Sequence, residues 1–175
     1  GMEFAHIWRT YGAEVTVIEM LPRVLPLEDR EVSQAVARAF QRRKVRLLTA
    51  ARVQGIVPTD AGIEVTISTA AAEQLVEAEQ VLVAIGVQPN SGGVGLESLG
   101  LEMEGEFFVV DDRMETSVPG IYAIGDVTGR LALAHVASAQ GVVAAEAIAG
   151  REPRTLDYGA MPRCTYCQPQ VASFG

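Results

Sequence analysis

Gly1-Met-Glu-Phe-Ala-His-Ile-Trp-Arg-Thr-Tyr-Gly12 and, three residues on, Val15-Thr-Val-Ile-Glu19 decide how the chain is read. The first stretch sets Phe4, Trp8 and Tyr11 on one helical face, and Gly12 suits the left-handed position that ends a helix. The second is a β-branched run too apolar for a half-solvated strand, which predicts a strand covered on both faces in a parallel sheet. Helix followed by parallel strand is the start of an α/β pattern. Outward from there, Asp29 is placed to cap a second helix in which Val32, Ala35, Val36, Ala39 and Phe40 recur at the helical period. Val45 to Leu48 reads as another short buried strand.

Beyond residue 50 the rhythm changes. Arg52 to Val57 and Ile63 to Ser68 read as strands joined by the turn Thr59-Asp-Ala-Gly62, an antiparallel meander set into the α/β pattern. Gln80-Val-Leu-Val-Ala-Ile-Gly86 reads as a fully apolar strand that stops in the turn residues Gly86-Val-Gln-Pro-Asn90. A glycine-rich loop, Ser91 to Gly95, then puts a domain boundary near residue 90. The second region holds Phe107 to Asp111, the apolar run Thr116-Ser-Val-Pro-Gly-Ile-Tyr-Ala-Ile-Gly-Asp126, and an alanine-rich helix from about Leu133 to Ala149. Its small side chains allow close approach to another backbone or a flat ligand. From Arg151 the chain turns polar, and Met161 to Gly175 reads as the entry to a further strand.

Composition sets the class. With 175 residues, 49% hydrophobic and 21% charged, the chain has material for a real core. Its apolar stretches fall short of the roughly 20 residues of a membrane span, and no secretory pattern opens it, so a cytoplasmic protein is expected. A net charge of −8 argues against a nucleic-acid partner. The basic run Arg42, Arg43, Lys44 and Arg46 ends a helix, where cations complement the dipole. Cys164 and Cys167 have C-x-x-C spacing, but a strand and a proline surround them instead of the helix a redox pair needs, and two thiols are half a zinc site. They read as structural, and no metal ligands are assigned.

Two acids carry the chemistry. A carboxylate at the tip of the second strand of a dinucleotide-binding fold accepts hydrogen bonds from the adenosine ribose, and it repels a 2′-phosphate. Glu19 has that place, with Met20 and Leu21 rather than arginines after it, which favours NAD over NADP. The G-x-G-x-x-G fingerprint precedes such an acid by about 20 residues. Gly1 stands 18 positions before Glu19 and is placed as its last glycine, so the first strand is expected to be missing. Gly1 also reads as a tag remnant ahead of a start at Met2. Asp126, ending an apolar strand after Gly125, can reach a ribitol hydroxyl, and the helix behind it can present its positive end to a flavin carbonyl.

In this order the motifs resemble the pyridine nucleotide-disulfide oxidoreductases, the flavoprotein disulfide reductases. Leu133-Ala-His135 leans toward their dihydrolipoamide dehydrogenase branch. The resemblance implies that Gly1, Glu19, Val53 and Gly86 form the NAD site, with Glu3 near the nicotinamide. It implies that Gly125 and Asp126 hold the FAD ribitol and that Ala132, Leu133, Ala134 and His135 contact the flavin side. His135 is then no general base, and His6 is a surface helix residue. The implied domains are a partial Rossmann-like NAD-binding domain at 1–90, the C-terminal part of an FAD-binding domain at 91–150, and the start of a dimerising interface domain at 151–175. Val87-Gln88, Cys167 and Gln170 depart from the family pattern. The family's redox C-x-x-x-x-C, its N-terminal FAD glycine motif and its C-terminal His-Glu pair have no counterpart. The expectation is therefore a homo-oligomeric piece of an enzyme that moves electrons between a dithiol and NAD through FAD. No residue of the chain itself is assigned a catalytic role, and it holds FAD and NAD weakly or not at all. Mercuric or glutathione-type reductases, and a non-catalytic nucleotide-binding or interaction module, are the alternatives.

Overall fold

The computed structural model describes residues 1–175, the side chain of Glu97 excepted. The chain forms two compact units, one of residues 1–85 and 164–173, the other of residues 86–163 and 174–175.

The first unit is α/β. Helix α1 (Met2–Thr10) leads to strand β1 (Thr16–Ile18), helix α2 (Arg30–Arg42) and strand β2 (Arg46–Leu48). The two strands pair in parallel, Val17 opposite Leu47. Gly12 follows the helix at φ +98°, as its place past the C-terminus requires. The face of Phe4, Trp8 and Tyr11 is exposed, and Met2 and Ala5 turn inward instead. Val15 is buried and Val17 and Ile18 half-buried, so β1 is covered less completely than its composition suggests. Asp29 stands at the N-terminus of α2 without a side-chain cap; its carbonyl accepts the Ser33 N–H, and Ser33 Oγ donates to the Val24 carbonyl at 2.6 Å. Of the expected α2 stripe, Val36, Ala39 and Phe40 are buried while Ala35 faces water. Phe40 is wholly enclosed among Met2, Val15, Val24, Val36 and Val45. Its truncation to alanine would cost about 3–5 kcal/mol.

The basic run also holds the helices together. Arg9 Nε donates to the Arg43 carbonyl at 2.7 Å, satisfying a carbonyl at the end of α2. Arg43 in turn reaches back to His6 Nδ1 and to Thr10 Oγ1. His6 is therefore half-buried and engaged, rather than a free surface residue.

The meander has three strands, β3 (Arg52–Thr59), β4 (Gly62–Ser68) and β5 (Glu73–Ala78), in that order and all antiparallel. Ala51, Val65, Ile67 and Val76 form its core with Ile18 and Leu48. The expected strand over 80–86 does not form. A strand needs a hydrogen-bonded neighbour, and this run has none among the described residues, so it lies outside every sheet. Its apolar residues face water, Val83 at 62% and Ile85 at 93% exposure. Hairpin β8 (Arg163–Thr165) with β9 (Val171–Ser173) sends Cys167 and Val171 into the first unit's core.

In the second unit a small hairpin, β6 (Met103–Glu104) with β7 (Phe107–Phe108), precedes a core of Val110, Met114, Val143 and Ala144. The run 118–126 reads as a strand feeding a helix; instead it turns at 118–121, where the Ile121 N–H donates to the Val118 carbonyl, its remainder carries only the single bridge Glu115 to Tyr122, and Gly125–Thr128 is a 3-10 turn. Isolated bridges do not make a ladder, so Asp126 does not stand at the edge of a parallel sheet. Helix α3 spans Ala134–Ile148. Its Gly141 admits Ile124, whose Cδ1 lies 3.4 Å from where a Cβ would sit. Among the described residues no helix is long and apolar enough to cross a membrane.

Candidate functional site

Glu19 extends the parallel ladder by one residue. Its N–H donates to the Leu48 carbonyl at 2.9 Å, and its own carbonyl accepts from Ala51 at 3.1 Å. These bonds fix the residue where β1 stops and the meander begins, at the carboxyl end of the parallel pair. One carboxylate oxygen, Oε1, accepts the Leu21 N–H at 2.8 Å, which curls the loop back under the side chain. The other makes no hydrogen bond among the described residues. A half-buried carboxylate with one lone edge turned outward is a donor-seeking group, and a sugar diol supplies two donors. The arrangement leaves one carboxylate edge able to accept from a hydroxyl pair. Of the nearby cations, Arg23 is turned onto the Pro26 and Glu28 carbonyls, while Arg52 Nη2 lies 3.7 Å from Met20 Sδ.

Val53 follows Ala51 by two residues on β3, 42% exposed, at the bulge that separates it from Gly55. Gly1 precedes α1, its carbonyl accepting the Ala5 N–H, and a Cβ on it would stand 3.9 Å from Ala84. Glu3 has a partner that the sequence did not indicate: Oε1 accepts the Tyr166 N–H at 2.6 Å. Gly86, at φ +128°, opens the second unit.

In the second unit, Gly125 has φ +78°, and a Cβ there would lie 3.5 Å from Ala137. Asp126 follows, exposed, with a carboxylate that makes no hydrogen bond among the described residues. Glycine lets this turn sit against α3 while directing the carboxylate to solvent, an arrangement fit for a polyol. Leu133 precedes α3, Ala132 and Ala134 are exposed, and His135 Nε2 bonds the Pro162 carbonyl at 2.9 Å. Sequence reasoning missed Gln140. It is 1% exposed and bonds Gly125, and its only sequence signal is a lone long polar residue within an apolar helix.

Cys164 is exposed and Cys167 buried, both as free thiols. Burial raises the Cys167 thiol above its ordinary range, and Sγ donates to the Pro169 carbonyl at 3.2 Å. Such a thiol is a poor nucleophile.

The sequence matches the family described as pyridine nucleotide-disulphide oxidoreductase over residues 1–141. It is 49% identical to the dihydrolipoyl dehydrogenase of Mycobacterium leprae over all of this chain, and 41% identical to that of Chlorobaculum tepidum. In each case it spans 38% of the relative's length. Among solved structures, LpdA from Mycobacterium tuberculosis superposes with a TM-score of 0.91 at 34% identity, over 99% of this chain and 38% of that one. The flavoprotein disulfide reductase RclA of Escherichia coli follows at 0.87 and 26%, over 98% of this chain and 39% of that one. With the Glu19 strand tip and the α/β unit already in place, these likenesses make the chain a member of the pyridine nucleotide-disulphide oxidoreductase family.

Proposed function

We propose that the chain supplies the NAD-binding part and a flavin-contacting part of a dihydrolipoyl dehydrogenase-like oxidoreductase. The whole protein passes electrons between a dithiol and NAD through FAD. The observation that carries this reading is Glu19, a carboxylate at the carboxyl end of a parallel strand pair with one oxygen tied to its own loop and the other free. Glu19 grips the adenosine ribose, Val53 and Gly1 line the same site, Gly86 also contacts NAD, and Glu3 serves the nicotinamide end. Asp126 grips the ribitol, and residues 132–135 lie along the flavin. Bound FAD supplies the two-electron relay; the protein supplies grip and orientation. Cys164 is exposed and Cys167 is buried with a raised thiol pKa, a pair unsuited to that relay, so in this reading the chain by itself does not turn over dihydrolipoamide.

Calorimetry with NAD tests the reading. Weak but saturable binding is expected, weakened further at least tenfold by Glu19→Ala; unchanged affinity in that variant would remove its basis. NADP is expected to bind less well, because Glu19 faces the 2′ position. Arg52 beside Met20 is the one neighbouring cation that could offset this, and Glu19→Gln with Arg52 intact should narrow the preference.

A further inference from the structure

Gln140 is the only long polar side chain buried in α3, a helix otherwise packed through Val136, Val143, Ala144 and Ala147. Burying an amide there is unfavourable unless both of its ends are bonded. Both are. Oε1 accepts the Gly125 N–H at 2.6 Å, and Nε2 donates to Tyr158 Oη at 3.0 Å. Because Gly125 N–H can only donate, the amide has one permitted orientation. Tyr158 is held in turn by the Arg130 guanidinium, 5.6 Å above its ring, and Arg130 is anchored on the Val110 carbonyl. A string of contacts therefore runs from the core of the second unit to a single backbone amide, the one immediately before Asp126.

That amide needs an external tether. Gly125 sits at φ +78° without a side chain, so its own conformational preference leaves many alternatives open. The following 3-10 turn is short and closes on Gly129. We propose that Gln140 is a positioning residue: by fixing the Gly125 amide it fixes the direction of the Asp126 carboxylate toward a flavin ribitol. The inference rests on the reading of Asp126 given above and adds to it the residue that aims the carboxylate.

The experiment combines FAD titration, followed by flavin fluorescence, with hydrogen exchange at Gly125, on the full chain and four variants. In Gln140→Leu the Gly125 amide exchanges at least tenfold faster and FAD affinity falls at least tenfold. Gln140→Glu keeps an acceptor for Gly125 and restores both. Tyr158→Phe, which frees one end of the amide, gives intermediate values and reports on the string even if Gln140→Leu fails to fold. Asp126→Asn loses FAD affinity with Gly125 protection intact. FAD affinity lost in Asp126→Asn but unchanged in Gln140→Leu and Tyr158→Phe overturns the positioning role alone. Gly125 exchange no faster in Gln140→Leu and Tyr158→Phe than in the parent chain overturns the inference whatever the flavin titration shows, and FAD affinity unchanged in Asp126→Asn overturns the reading of Asp126.

Discussion

The Glu3 carboxylate accepts the Tyr166 backbone N–H at 2.6 Å, joining the first turn of α1 to a segment 163 positions away in sequence. Together with Ser173 Oγ on Glu28 at 3.1 Å, it clamps the β8–β9 hairpin onto the first unit. Glu3→Ala leaves the Tyr166 N–H unpaired, and a hydrogen bond to a charged acceptor contributes about 1.5–3 kcal/mol. Urea unfolding should show a loss of that size, with faster amide exchange at Tyr166. Glu3→Gln, which retains an acceptor, should recover more than half of it.

Cys167 ties stability to alkaline pH. Burial is the main cause of its raised thiol pKa; the nearby Glu3 charge adds to it, while its own backbone hydrogen bond and Arg43 oppose it. The folded chain then holds the proton more tightly than the unfolded chain does. Stability from this group is complete below the ordinary thiol value, about 9, and is lost as pH rises through the higher folded value. Melting temperature measured from pH 8 to 10.5 should fall more steeply in the wild type than in Cys167→Ala. Thiol labelling of the native chain should modify Cys164 first.

Gly129 holds φ +65°, and a Cβ added there would meet the Phe107 ring at 2.7 Å. Gly129→Ala combines backbone strain with a clash against a ring carbon close to the backbone. A loss of about 1–3 kcal/mol is expected in thermal unfolding. Phe107→Leu in the same chain should return part of it, the strain of the positive φ remaining.

The run 81–85 presents unpaired apolar residues to water, and β1 pairs on one side only. Edges of this kind recruit further strands. Light scattering should show mass rising with concentration, as the expectation of a homo-oligomer requires. Val83→Lys with Ile85→Lys should hold the chain monomeric. A wild type that stays monomeric across the range would count against self-pairing.

Much of the first unit was legible because period and composition agree there: α1, β1, α2, β2 and the first two meander strands lie where the apolar spacing puts them. Strand β5 escaped because Val76 is its only buried side chain, and Glu73, Gln74 and Glu77 give it the composition of a loop. The runs 80–86 and 118–126 show the opposite failure. Their residues favour strands, but pairing is a property of neighbours, and one exposed run and one isolated bridge are what result. The position of Glu19 at the end of β1 was legible because it follows directly from where the apolar run stops. Gln140 and the Glu3 to Tyr166 bond depend on contacts across 15 and 163 positions, which no local pattern encodes.

The central claim is tested most directly by mapping amide chemical-shift changes as NAD is titrated into the isotope-labelled chain. Shifts centred on Glu19, Leu21, Ala51 and Val53, and absent from Glu19→Ala, are the expected result. Shifts that avoid this strand end, or that persist unchanged in Glu19→Ala, would contradict the assignment.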